Sequence, residues 1–375
     1  MAIACGGTGG HLFPGIAVGT ELIGRGVQVR LMVSEIEVDQ LALKGETRFD
    51  VTRLPSVGMG QRGTIRLLTG LWKSYRECRS QFKNYKPSAV LAMGGFTSVA
   101  PLLAGKRCGA ALFLHDSNAI PGRANRWLSS WVTEAFVGFH EASHFLKSRR
   151  VTRTGTPVRD SFIAPASPSA ARIALELDPT RPVLLITGGS QGARAINDAI
   201  VDSLESLSEQ LPELQYLHLT GAADRQAVQL AYQRLNLSAR VHPFLASMDL
   251  ALSAATLAVS RAGGSSLAEL AAMRVPAILI PYPSAADDHQ TANAQAFAKV
   301  HAAFHLTQTE AVSGKLPDAI LRLLRDPASS QQMRQGLAQW HVADSARQIS
   351  NSILQAIGRT TDAPNVSGAK SLLIG

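Results

Sequence analysis

The chain has 375 residues, 46% of them hydrophobic and 17% charged, and a net charge of +9. This composition excludes a disordered chain, and no apolar run reaches the roughly 18 residues of a membrane span. At roughly 150 residues per domain the length suits two or three domains. Cys5, Cys78 and Cys108 are scattered without C-x-x-C spacing, which fits a reducing compartment and argues against a disulfide framework or a zinc site.

Taken in chain order, Met1 to Cys5 read as a short strand that runs into Gly6-Gly7-Thr8-Gly9-Gly10. This opening leaves no room for the charged start, apolar stretch and cleavage site of a signal peptide. A helical pattern follows through Ile16 to Leu22. Residues 62–86 set Arg62, Arg66, Lys73, Arg76, Arg79, Lys83 and Lys86 against a lone Glu77. Ile65, Leu68, Trp72 and Tyr75 recur there at helical spacing. The segment reads as an amphipathic helix, either core-facing with a basic outer side or lying in a membrane interface. Val90-Leu91-Ala92-Met93 lacks polar alternation, reads as a buried parallel strand and ends at Gly94-Gly95.

A Pro/Ser-rich link, Ala164-Pro165-Ala166-Ser167-Pro168-Ser169-Ala170, precedes a restart of the series. Val183-Leu184-Leu185-Ile186 leads into Gly188-Gly189-Ser190-Gln191-Gly192, and a further loop holds Gly263-Gly264-Ser265-Ser266. A helix is predicted near 329–357, its part over 342–358 packing back on the first half, and residues 360–375 read as a loose polar tail. Repeated strand–loop–helix units predict a doubly wound α/β fold. We expect a domain over 1–160 and a second over 161–341.

The charge divides unevenly. Residues 1–155 hold 20 Lys+Arg against 10 Asp+Glu, and the remainder 17 against 18. A polyanionic partner, whether nucleic acid, anionic membrane or phosphorylated substrate, is therefore expected on the first half.

Glycines between a strand and a helix let backbone N–H groups approach a phosphate, and the helix start adds favourable partial charge. Two such loops, one per half, predict a phosphorylated ligand between the halves. A dinucleotide oxidoreductase is disfavoured, because G-x-G-x-x-G fails at Leu12 in the first loop and at Ser190 in the later one. Glu35 alone mimics its ribose-binding acid. No G-x-x-x-x-G-K-[S/T] and no D-x-D occur, and Asp287-Asp288-His289 reads as solvated more readily than as a metal site. No nucleic-acid motif accompanies the basic half.

Gly6-Gly7-Thr8-Gly9-Gly10-His11-Leu12-Phe13-Pro14-Gly15 resembles the opening loop of the MurG family. The likeness continues in order through Met93-Gly94-Gly95-Phe96, His115-Asp116-Ser117-Asn118 and Gly155-Thr156-Pro157-Val158-Arg159. It then runs through Gly188 to Ala193, Arg261 to Glu269, and Asp288-His289-Gln290 with Asn293, so that it spans residues 1–357. Asp116, Ser117 and Thr156 depart from the family's usual Glu, Gln and Asn.

The resemblance implies a GT-B fold of two Rossmann-like domains around a cleft. It implies inverting, metal-independent transfer of N-acetylglucosamine from UDP-N-acetylglucosamine to the C4 hydroxyl of the muramoyl sugar of lipid I. The expected partners are UDP-N-acetylglucosamine, lipid I and an anionic membrane surface, with no cofactor and no nucleic acid, at the cytoplasmic face of a bacterial membrane. Same-fold alternatives are a UDP-N-acetylglucosamine 2-epimerase and a glycosyltransferase with another acceptor. His11 is the candidate base, since imidazole titrates near working pH, and Asp116 a second acid/base candidate. By the resemblance, donor contacts fall on Thr8, Gly9, Gly10, Asn118, Arg159, Ser190, Leu245, Gly264, Ser265, Ser266, Glu269 and Gln290. With a membrane-anchored acceptor implied, Ile65, Arg66, Leu68, Trp72, Lys73, Tyr75 and Arg76 are expected to face the lipid.

Overall fold

The computed structural model describes residues 1–7, 9–35, 47–55, 64–189 and 192–359, with backbone alone over 64–67. Thr8, Ser190, Arg62, the tail and the side chains of Ile65 and Arg66 lie outside the described residues.

Strands β1 (Ala2–Ala4), β2 (Arg30–Ser34), β3 (Asp50–Leu54), β4 (Ala89–Ala92), β5 (Ala111–Asp116), β6 (Glu134–Val137) and β7 (Val151–Arg153) build the first sheet. All are parallel, in the order β3-β2-β1-β4-β5-β6-β7. Short β1 is held on both sides, Ala2 pairing with Arg30 and with Val90. Successive side chains leave opposite faces. Ile3, Leu91 and Phe113 therefore pack with Leu12, Ile16 and Leu22 of α1 (Gly9–Gly24). Ala2, Val90 and Leu112 pack with Cys78 and Phe82 of α2 (Thr64–Tyr85) and Leu102 of α3 (Val99–Arg107). Both faces are covered, which is why these strands read as unbroken apolar runs.

After β5 comes the short helix α4 (Arg123–Leu128), and after β7 the chain crosses to the second domain. The Pro/Ser-rich link starts α5 (Pro168–Ala174), with the Ser167 hydroxyl accepting from the Ala170 N–H at 3.3 Å and Pro168 in the first turn. Strands β8 (Val183–Thr187), β9 (Gln215–Leu219), β10 (Ala239–His242), β11 (Leu257–Ser260), β12 (Ala277–Leu279) and β13 (Phe304–His305) form the second sheet, ordered β10-β9-β8-β11-β12-β13. One face packs on α6 (Arg194–Gln210) and α7 (Arg225–Arg234) through Ile200, Leu204 and Tyr232. The other packs on α8 (Met248–Ala254), α9 (Gly264–Met273) and α10 (His289–Lys299) through Leu252, Leu267 and Phe297.

The helix expected near 329–357 is instead two. After α11 (Leu316–Arg325), α12 (Pro327–Trp340) stays on the second domain, and α13 (Ser345–Ala356) lies on the first. The break lets the chain recross: Ile349, Ile353 and Leu354 join the α1 core, and the Ser345 hydroxyl donates to the Gly155 carbonyl at 3.2 Å. Phe139 of the first domain meets Phe297 at 6.0 Å and Trp340 at 5.1 Å, so apolar packing is continuous between the domains.

In each sheet the order reverses once, between β1 and β4 and between β8 and β11. Connections leave such a point in opposite directions and open a crevice at the strand ends. The two crevices face one another.

Candidate functional site

A cleft of about 950 Å³ lies between the domains. Helices α1, α6 and α9 all begin at it, through Gly9 and Gly10, through Gly192 to Arg194, and through Gly264 to Ser266. The first N–H groups of each helix lack intrahelical acceptors and carry partial positive charge, so the cleft suits phosphate oxygens. The glycines there set the spacing. A Cβ on Gly264 would stand 2.0 Å from the Ser117 carbonyl oxygen, so only glycine lets α9 approach the first domain so closely.

His11 lines the cleft in the first turn of α1, half-buried. Its imidazole lies against the turn after β4: a Cβ on Gly94 would be 2.7 Å from His11 Nε2, and Gly94 adopts φ +121°. The glycine pair thus provides the bed for the ring. His115 is buried behind, donating from Nε2 to the Gly155 carbonyl at 3.0 Å, and burial lowers its pKa.

Asp116, expected as an acid/base candidate, is committed to its own loop. One oxygen accepts from the Asn118 N–H at 3.0 Å, the other from the Gly122 N–H at 3.0 Å and the Asn125 amide at 2.9 Å. With its lone pairs occupied and 4% exposure, it shapes the loop that presents Asn118. Asn118 lines the cleft, and its Oδ1 accepts from Asn293 across the domain boundary at 3.0 Å. Gln290 also lines the cleft and is pinned at Oε1, which accepts from Tyr282 N–H at 3.0 Å and Ala262 N–H at 3.3 Å. Arg261 clasps the strand ends, donating to the carbonyls of Ile280 and Pro281 and to Gln308 Oε1.

Leu245 and Glu269 complete the second-domain wall. Burial pushes the Glu269 carboxyl up to about 7; the Arg159 charge opposes this and Asp249 adds to it. Arg159 is not at the cleft surface. Its guanidinium stacks on Phe13 at 4.2 Å and Phe162 at 5.1 Å, with Nε and Nη2 buried and lacking hydrogen-bond partners. The structure therefore places this charge behind the cleft-lining Phe13, where it acts on Glu269 through space.

Asp287, Asp288 and His289 each bond elsewhere: Asp287 to Arg123 and Arg126, Asp288 to the Thr291 hydroxyl at 2.6 Å, His289 to the Ala286 carbonyl at 2.8 Å. Asn293, Phe13 and Asp287 received no role from sequence reasoning. For Asn293 a signal existed: Gln290 and Asn293 are three apart on one helix and share a face.

On α2, Ser74, Cys78 and Phe82 are buried at four-residue spacing, and Leu71 and Tyr75 lean on the same core. Tyr75, expected toward lipid, thus turns inward, because it follows Leu71 by one turn. Leu68 and Trp72 are 59% and 58% exposed, and Arg76 lies over the Trp72 ring at 4.8 Å. Lys73, Arg79 and Lys83 are exposed beside them. No described helix is long and apolar enough to cross a membrane.

Two facing Rossmann-type sheets with helix starts converging on one cleft define the two-domain GT-B architecture. Residues 1–137 match the glycosyltransferase family 28 N-terminal domain, and residues 183–349 the family 28 C-terminal domain. Over 376 residues the chain is 34% identical to the UDP-N-acetylglucosamine–N-acetylmuramyl-(pentapeptide) pyrophosphoryl-undecaprenol N-acetylglucosamine transferase of Rhodopseudomonas palustris, covering 96% of each. It is 35% identical to the transferase of the same name from Pelobacter propionicus, covering 87% of this chain and 91% of that protein. The crystal structure of Acinetobacter baumannii MurG superposes with a TM-score of 0.70 at 26% identity, over 95% of this chain and 99% of that one. UDP-GlcNAc 2-epimerase from Neisseria meningitidis, at 15% identity and a TM-score of 0.68 over 94% of this chain and 99% of that one, shares the fold. The chain belongs to the MurG family of N-acetylglucosaminyltransferases.

Proposed function

We propose that this protein moves N-acetylglucosamine from UDP-N-acetylglucosamine to the C4 hydroxyl of the muramoyl sugar of lipid I, with inversion. The observation that carries the reading is the cleft itself, where helix starts from both domains and the Asn118, Glu269 and Gln290 side chains converge. It is joined to similarity over nearly the whole chain to transferases named for this reaction.

The diphosphate of UDP lies against the starts of α6 and α9, whose N–H groups neutralise the charge that grows on the leaving group. The Glu269 carboxylate accepts from the ribose hydroxyls, and Leu245 with neighbouring Phe244 offers apolar surface to the uracil. Gln290 and Asn118 hold the sugar hydroxyls. The acceptor hydroxyl attacks the anomeric carbon as its bond to the β-phosphate oxygen breaks. UDP departs, and His11 takes the hydroxyl proton from the α1 side. Asp116 positions Asn118 and takes no proton. Thr8 and Ser190 belong to the same loops and are assigned to the donor by resemblance to the family.

The membrane-facing surface is the outer side of α2, with Leu68, Trp72, Lys73 and Arg76; Ile65 and Arg66, whose side chains lie outside the described residues, are assigned to it from the sequence alone. Exposed apolar groups ringed by basic ones suit an anionic interface. We place the protein peripherally at the cytoplasmic face of the membrane. Incubation with radiolabelled UDP-N-acetylglucosamine and lipid I tests the reaction. Labelled lipid II is the expected product; bound donor without product would leave the donor site and remove this acceptor.

A further inference from the structure

Arg123 and Arg126, both on α4, reach across the cleft to the same carboxylate. Arg123 Nη2 donates to Asp287 Oδ1 at 2.8 Å, and Arg126 Nη2 donates to Asp287 Oδ2. Two guanidiniums on one carboxylate leave the cluster with an excess positive charge. Arg123 and Asp287 line the cleft, and the Arg123 side chain is 65% exposed, so an incoming anion can reach it.

Asp287 and Asp288 both adopt φ 53°, in the left-handed region that aspartate enters more readily than most non-glycine residues. The arginine pairs anchor this turn of the second domain to α4 of the first. The residue after Arg126 is Trp127, 53% exposed, which meets Trp131 edge-on at 4.5 Å, with the Lys106 ammonium 4.4 Å from the Trp131 ring centre. An aromatic and basic surface patch thus adjoins the arginines on the same short stretch of chain.

We propose that Arg123 and Arg126 form a binding site for the diphosphate of the lipid-linked acceptor at the cleft mouth, and that Asp287 is an internal counter-ion which that diphosphate displaces. This rests on the acceptor reading given above. Guanidinium forks match phosphate oxygens in pairs, and a diphosphate brings more negative charge than one carboxylate. The exchange conserves bonding on the arginines and frees Asp287 from its cross-cleft clasp. Acceptor arrival and opening of the latch between the domains are then one event.

Inorganic pyrophosphate is the probe, titrated calorimetrically into the whole protein at low salt with UDP saturating, so that the nucleotide site is filled. Asp287→Asn is expected to tighten pyrophosphate binding roughly three- to tenfold, by removing the competitor. Replacing Arg123 and Arg126 together by Gln should weaken it at least about tenfold. Unchanged or weaker binding in Asp287→Asn, as loss of a merely structural clasp would produce, overturns the proposal. So does pyrophosphate affinity that ignores the double arginine change. Asp287→Ser replaces the Asn variant if that one fails to fold. In transfer assays, KM for the acceptor should fall in Asp287→Asn while KM for UDP-N-acetylglucosamine stays constant. A protein that makes no lipid II yet keeps the pyrophosphate pattern retains this anion site and loses only the acceptor assignment.

Discussion

Asn293 on α10 donates from Nδ2 to Asn118 Oδ1 on the first domain at 3.0 Å, while its own Oδ1 accepts from the Ala119 N–H at 2.7 Å. The same Nδ2 also reaches the Ala262 carbonyl at 2.9 Å, and the residue is fully buried. One side chain therefore ties the loop after β5 to the loop after β11. It fixes where Asn118 stands relative to the start of α9.

Removing this tie leaves a buried N–H and a buried carbonyl without partners. Asn293→Ala should cost on the order of 1–3 kcal/mol of stability. It should also raise KM for UDP-N-acetylglucosamine, because the two walls of the cleft lose their register. Chemical denaturation and steady-state kinetics read the two effects. Stability and KM both equal to the parent's would remove the linking role.

Glu269 predicts a pH dependence. Its folded-state pKa of about 7 lies above the ordinary 4.5, chiefly through burial. The folded protein therefore holds a proton that the unfolded chain releases, and stability falls as pH rises from about 4.5 through 7, then levels. The contribution is on the order of 3 kcal/mol. Glu269→Gln should flatten that part of the profile, measured by urea unfolding between pH 5 and 8.

The same group links binding to protons. Ribose hydroxyls donate to a carboxylate and favour its ionised form. UDP binding at about pH 6 should release part of a proton, visible as a buffer-dependent enthalpy in calorimetry, and Glu269→Gln should release none. A buffer-independent enthalpy in the parent protein would argue that Glu269 does not meet the nucleotide.

His11→Ala should lower the transfer rate about 10²–10⁴-fold with UDP affinity retained, if the imidazole takes the acceptor proton. A loss below about tenfold would assign the proton to another group. The ring's bed against Gly94 sharpens the test. Gly94→Ala should disturb His11 without touching its chemistry, and an activity loss there supports placement of the ring as the critical feature.

For the outer face of α2, Trp72→Ser combined with Lys73→Glu and Arg76→Glu should release the protein from anionic vesicles. Each basic residue contributes roughly 1 kcal/mol near such a surface. Raised salt should mimic the charge changes. Sedimentation with vesicles measures the partition, and equal binding of parent and variant at low salt would move the membrane surface elsewhere.

Much of the architecture was legible in local pattern. Strands buried on both faces must be continuously apolar, and the glycine turns that follow them must lie at strand ends. Val90-Leu91-Ala92-Met93 with Gly94-Gly95, and Val183 to Ile186 with Gly188-Gly189, therefore located two doubly wound sheets and the cleft between them. His11 was found because it follows such a turn, whereas Asn118, Glu269 and Gln290 were found through the resemblance of their segments to the family's motifs.

What the sequence alone determined was this set of elements, the uneven charge and the residue types at the loop tips. What only the tertiary structure decided was how those side chains use their atoms. Asp116 spends its oxygens on the loop, Arg159 is sandwiched behind Phe13, Tyr75 turns to the core, and Asp287 meets two arginines about 160 residues away in sequence. A hydrogen bond or ion pair between distant segments is set by how the domains approach, and no local periodicity encodes that distance.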